Sequence, residues 1–151
     1  MKMWVDADAC PVSVKKTLFK ASKRTGIELT LVANHSMSVP ASPLVTLYIV
    51  PQGFDVADNY IEQHIESGDV LVTQDIPLAA DAVEKGAHVL NPRGDLYTPE
   101  NIKHRLRMRN MAEILRNAGQ LDGGGPPAFS ATDQRQFANA LDRLLTKYGS
   151  C

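Results

Sequence analysis

Cysteine is scarce in this chain: Cys10 and Cys151 are the only two. Two thiols make neither a disulfide framework nor a zinc set, and they point to a reducing cytoplasm. Long apolar runs are missing as well. None approaches the ~18 residues needed to cross a bilayer, which excludes a membrane span. No signal-peptide pattern opens the sequence, because Met1 to Val5 leads straight into an expected strand. Lysine and arginine are absent from Thr25 to Glu84. That absence is the most informative of all.

The same stretch holds nine acids: Glu28, Asp55, Asp58, Glu62, Glu66, Asp69, Asp75, Asp81 and Glu84. Cations gather on either side, as Lys15, Lys16, Lys20, Lys23 and Arg24, then Lys103, Arg105, Arg107, Arg109 and Arg116. A net charge of −1 hides this segregation. Solvated helix faces would explain it. So would an acidic centre between cationic arms, suited to a polyanion whose reacting phosphate is held by metal. With 151 residues, 44% apolar and 22% charged, the chain reads as one globular domain over residues 1–151.

Strands are expected at Met3–Val5, Ile27–Ala33, Leu44–Val50, Val70–Thr73 and His88–Leu90, and helices between most of them. Pro11 to Thr25 fits a helix closed by Gly26; Asp55 to Ser67 is closed by Gly68, and Asp75 to Lys85 by Gly86. Pro99 to Ala118 reads as a long basic helix. A "GGGPP" loop, Gly123 to Pro127, leads to a last amphipathic helix near Ser130 to Lys147. The segment Asn34 to Pro43 is too short and too rich in Pro and Ser for a crossover helix, so a surface loop leading to an edge strand is expected there. The alternation predicts a three-layer α/β fold: a mostly parallel central sheet of about five strands, helices on both faces, and C-terminal helices.

Ligands of open α/β sheets bind outside the carboxyl ends of the strands. Asp6 and Asp8 follow the first strand, Asp55 and Asp58 the third, Asp75 the fourth, and Asn91 and Arg93 the fifth. The opposite edge receives Asp69 and Glu28. Asp6 and Asp8 are two apart, so in extended chain both point to one face, where like charges repel unless a cation lies between them. Asp55 is expected to cap its helix. Asp58 borders the buried face of that helix, where a carboxylate is costly without a partner. Asp75 is placed to cap its helix and also point into the crevice. Arg93 is placed to hold a phosphate by its fork of donors. Cys10 reads as a small buried thiol, because the neighbouring acids oppose its ionisation. His35, in a polar loop, is a weaker candidate for a general base.

"VDADACPV", "GFDVADNYI", "DVLVTQDIPLA", "VLNPRG", "NI…LRMRN…LR" and "GGGPPAFSATDQRQF" together resemble the YaiI/YqxD-type family of uncharacterised bacterial proteins. The resemblance covers about Met3 to Leu145. It implies a distant likeness to PIN-like nuclease folds, whose members cut RNA with Asp and Glu holding Mg²⁺ or Mn²⁺. Carried over, Asp6, Asp58 and Asp75 become metal ligands. Asp8 is an extra acid of this family's own motif, and Asp55 or Asp81 would supply a fourth carboxylate. The leading expectation is a metal-dependent ribonuclease with catalytic and metal-binding Asp6, Asp8, Asp58 and Asp75. Arg93, Arg105, Arg109 and Arg116 would hold the nucleic acid. Two alternatives stand beside it. One is a haloacid-dehalogenase-type phosphatase with Asp6 as nucleophile, against which Asp69 and Asp75 lie roughly 20 Å apart along an extended strand. The other is a non-catalytic RNA- or partner-binding module.

Overall fold

The computed structural model describes residues 1–53, 55–119 and 128–149. Its chain runs β1 (Met3–Asp6), α1 (Val12–Thr25), β2 (Leu29–Ala33), β3 (Val45–Ile49), α2 (Val56–His64), β4 (Val70–Val72), α3 (Ile76–Glu84), β5 (His88–Leu90), β6 (Leu96–Tyr97), α4 (Pro99–Asn117) and α5 (Ala131–Tyr148). The six strands form one sheet in the order β3-β2-β1-β4-β5-β6, parallel throughout except for β6. The chain fills one half of the sheet outward from β1 and then restarts on the other side with β4. The boundary between β1 and β4 is thus the topological switch point, where open α/β sheets leave a crevice.

Alternation along each strand divides the core in two. Met3, Val5, Leu29 and Leu31 face α1 and α5, where they meet Val14, Leu18, Phe137 and Leu141. Trp4, Val32, Leu71 and Val89 face the other way, toward Ile61 of α2, Leu78 and Ala82 of α3, and Ile102 of α4. Helices therefore cover both faces, and the expected three layers are present. No described helix is long and apolar enough to cross a membrane.

Three details depart from the sequence reading. A sixth strand, β6, pairs antiparallel with β5 through a tight turn. Asn91 builds that turn, its side-chain oxygen accepting from the backbone N–H of Arg93 at 2.9 Å and of Asp95 at 3.0 Å. Gly94 is needed there: its φ is 94°, and a Cβ would meet the carbonyl oxygen of Gln136 in α5 at 2.7 Å. Helix α2 stops at His64 rather than Ser67, because Ile65 is buried in extended conformation and the Asp69 carboxylate captures the N–H of Glu66 at 3.0 Å. Finally, β1 does not continue as strand past Asp6. It turns into a 3-10 turn at Ala7–Ala9.

The segment after Ala33 carries no helix, as expected, yet β2 and β3 are parallel. Met37 and Val39 of that loop pack on the first core in the place of a crossover helix. The "GGGPP" loop lies outside the described residues.

Candidate functional site

The carboxyl ends of β1 and β4 lie side by side, and Thr73 links them. Its hydroxyl donates to Asp6 Oδ2 at 3.1 Å and accepts from the backbone N–H of Asp75 at 3.0 Å. Thr73 is buried, so this bridge fixes both acids against the sheet. Asp75 is then the N-cap of α3, its Oδ1 accepting from Leu78 N–H at 2.9 Å. One oxygen holds the helix, and the group still faces the crevice, as its spacing suggests.

Asp55 behaves otherwise than expected. It occupies the N-cap position of α2 but makes no side-chain cap, and its backbone is left-handed, with φ 62°. Among the described residues it is the only non-glycine with positive φ. Such a conformation costs roughly 1 kcal/mol or more in a non-glycine residue. The side chain goes to the crevice instead. Oxygens of Asp55, Asp58 and Asp75 lie within 4.8 Å of one another. With Asn59, Glu62, Asp81 and Arg109 they line a cavity of about 270 Å³.

Electrostatics follow from this crowding. The Asp58 carboxyl is pushed up from 3.8 to about 8, first by burial and then by its hydrogen bond to Asp75 and the charges of Asp75, Asp6 and Asp55. Asp6 is raised too, chiefly by burial, with Thr73 opposing and Asp75 and Asp8 adding repulsion. Asp81 is raised by partial burial and by Glu62, Glu84 and Asp75. Burial and its acidic neighbours thus favour a proton on Asp58 at pH values where a carboxylate is ordinarily ionised. A divalent cation bound by oxygen ligands would displace it.

The structure separates Asp8 from this group. The 3-10 turn after Asp6 breaks strand alternation, so Asp8 turns toward the end of β2. Its oxygens accept from Asn34 N–H at 2.8 Å and meet His35 Nδ1 at 2.8 Å. The expectation that Asp6 and Asp8 share one face is corrected by that turn. Arg93 is placed elsewhere as well. It donates to Asp133 at 2.7 Å, tying the β5–β6 turn to the N-terminus of α5. Arg105 lies 4.0 Å from Asp95 and over the Tyr97 ring, Arg109 pairs with Glu113 at 3.2 Å while reaching the cavity rim, and Arg116 is exposed. Cys10 is buried and its thiol is pushed up to about 12 by that burial. Sequence reasoning passed over Glu62, although Asp55, Asp58 and Glu62 at i, i+3 and i+7 share one helix face.

Asp69 is the counterpart at the opposite edge. It is buried and accepts from Lys2 N–H at 3.0 Å, Trp4 Nε1 at 3.1 Å and Glu66 N–H at 3.0 Å. It is a structural carboxylate.

Comparison with known proteins settles the kinship. Residues 4–147 match the model of the uncharacterised BCR, YaiI/YqxD family. The chain belongs to the YaiI/YqxD family. Among its relatives, a UPF0178 protein of Syntrophotalea carbinolica is 53% identical over 148 residues, covering 98% of this chain and 99% of that one. One of Bordetella petrii is 57% identical over 145 residues, 96% of each chain. One of Hydrogenovibrio crunogenus is 54% identical, covering 98% and 97%. No solved structure matches this family member.

Proposed function

We propose that this YaiI/YqxD-family protein is a divalent-metal-dependent phosphodiesterase acting on RNA. The observation that carries the reading is the convergence of Asp55, Asp58 and Asp75 at the switch point, with Asp6 beside them. Three carboxylates within reach of one ion form an all-oxygen donor set, which suits Mg²⁺ or Mn²⁺ better than softer metals. Asp75, held by its cap, and Asp6, held by Thr73, are rigid; Asp58 and Asp55 complete the set from α2. Such an ion supplies Lewis acidity toward a phosphate and a bound water of lowered pKa. Arg109, on the cavity rim, is placed to meet a phosphate oxygen, and Arg105 and Arg116 lie on the same side of α4 for the flanking backbone. Asp8 has no ligand role in this reading, and Arg93 serves the fold.

Purified protein with Mn²⁺ is expected to cleave single-stranded RNA, and Asp75→Asn to lose that cleavage by at least a hundredfold, on the order of what one metal ligand contributes. RNA that binds wild type and variant equally, with no cleavage by either, would leave a binding module in place of an enzyme. Trapping of phosphate on Asp6 would transfer the protein to the phosphatases.

A further inference from the structure

The two edges of the sheet are guarded very differently. β6 is two residues long and is preceded by Arg93 and Asp95. β3 is five residues long, reads Val-Thr-Leu-Tyr-Ile, and has a neighbour on one side only among the described residues. It carries no lysine, no internal proline and no bulge, the usual devices that keep an edge from pairing. From Ser36 to Phe54 the chain has no Asp, Glu, Lys, Arg or His at all.

Main-chain parity shows which groups are free. Leu29 N–H donates to Leu44 C=O, and Val50 N–H to Ala33 C=O, both at 2.8 Å. Even-numbered residues of β3 therefore direct their peptide groups at β2, and Val45, Leu47 and Ile49 direct theirs outward. Val45 N–H is taken by Ser42 C=O at 3.2 Å. Among the described residues, what is left is the N–H of Leu47 and Ile49 and the C=O of Val45, Leu47 and Ile49. Tyr48 is 46% exposed and Ile49 52% exposed.

We infer that β3 pairs antiparallel with β3 of a second copy of this chain about a two-fold axis at Leu47. In that register Leu47 exchanges two hydrogen bonds with its symmetry mate. Each Ile49 N–H reaches the partner's Val45 C=O, so four bonds form and no free N–H of the edge is wasted. Val45 then faces Ile49 across the pair on one side of the sheet, and Thr46 faces Tyr48 on the other. These are β-branched and aromatic pairings of the kind that stabilise cross-strand neighbours. The choice of a second copy rests on charge. An isologous contact brings every group against its own kind or near it, so a charged edge repels itself and an uncharged one does not. The acids of α2 do not oppose the approach, because Asp58 and Glu62 face the cavity while Tyr60, on the β3 side, stacks on Tyr48 at 4.5 Å. The pairing joins two six-stranded sheets into one and leaves only the short β6 edges outside, so it closes at two copies.

Sedimentation equilibrium of the full chain at high micromolar concentration is expected to give twice the chain mass. Thr46→Lys, which puts a charge on the edge, and Ile49→Pro, which removes an outward donor, should each give the single mass. Far-UV circular dichroism checks that both variants are folded. Register is tested with Cys10→Ala and Cys151→Ser in the background. A mixture of Thr46→Cys and Tyr48→Cys chains should form a disulfide-linked dimer under mild oxidation. Thr46→Cys alone should not, since those positions lie about two residues out of register and beyond disulfide reach. A single-mass wild type, a double mass that persists in both edge variants, or cross-linking by Thr46→Cys alone as readily as by the mixture would each overturn the pairing.

Discussion

The two ends of β4 carry an aspartate each, and they live in opposite circumstances. Asp69, at the start, is surrounded by donors: two backbone N–H groups and the indole of Trp4. Asp75, just past the end, has one backbone donor, Leu78 N–H, and otherwise lies among the carboxyls of Asp58, Asp55 and Asp6. Burial alone does not decide how a carboxylate's charge is met. Asp69 is the more buried of the two and has its hydrogen bonds filled by the protein. The Asp75 group is left with more negative charge than its surroundings neutralise. On the proposed function, such repulsion and a left-handed Asp55 mark the place a cation would take.

The largest effect that sharpens this contrast is expected from Asp69→Ala. It orphans the Trp4 indole and two backbone N–H groups, and should cost about 3 kcal/mol in chemical denaturation, independent of Mn²⁺. A loss under 1 kcal/mol would mean that water replaces the carboxylate and that the amino-terminal edge is not pinned. Asp58→Asn should act in the opposite direction. With its folded pKa raised to about 8, Asp58 keeps a proton that the unfolded chain releases near pH 4. Without metal the native state therefore loses stability as pH rises from about 4 to about 8, and the loss is complete above that. Asp58→Asn should abolish this slope and raise the metal-free melting temperature at pH 8 by a few degrees, less than the full shift implies because solvent screens this half-buried group. Mn²⁺ should stabilise the wild type by mass action and the variant much less. Equal stabilisation of both would move the ion away from the cavity. The smallest effect concerns the cationic helix. Replacing Arg105, Arg109 and Arg116 by Gln should flatten the dependence of log K for single-stranded RNA on log salt by roughly 0.7 per lost phosphate contact. Metal-dependent stabilisation should persist, because α4 supplies no acid to the cluster.

Most of the layout was legible in the chain. Glycines after α1 and α3, acids at strand ends, and the alternation of strands with helices agree with the observed elements, whereas Gly68 follows α2 only after an extended stretch. What escaped was set by contacts too distant or too short to leave a pattern. Two residues of β6 cannot show alternation. The turn of Asp8 away from Asp6 depends on Asn34 and His35, brought near by the pairing of β1 with β2. Asp55 looked like a cap because its sequence position is that of a cap; its φ and the missing side-chain cap bond show otherwise. Arg93 read as a phosphate holder because Asp133, to which it donates, is forty residues on.

Trp4 has a consequence of another kind. It is the sole tryptophan, buried in the second core, with its indole N–H on Asp69 and the rings of Tyr60 and His64 each 6.4 Å away. The molecule therefore carries one indole fluorophore, selectively excited beside its four tyrosines, and it reads the amino-terminal edge of the sheet rather than the acidic cavity. Its emission should shift to the red on unfolding as the indole meets water. Ligands at the carboxyl ends of the strands should leave its wavelength in place.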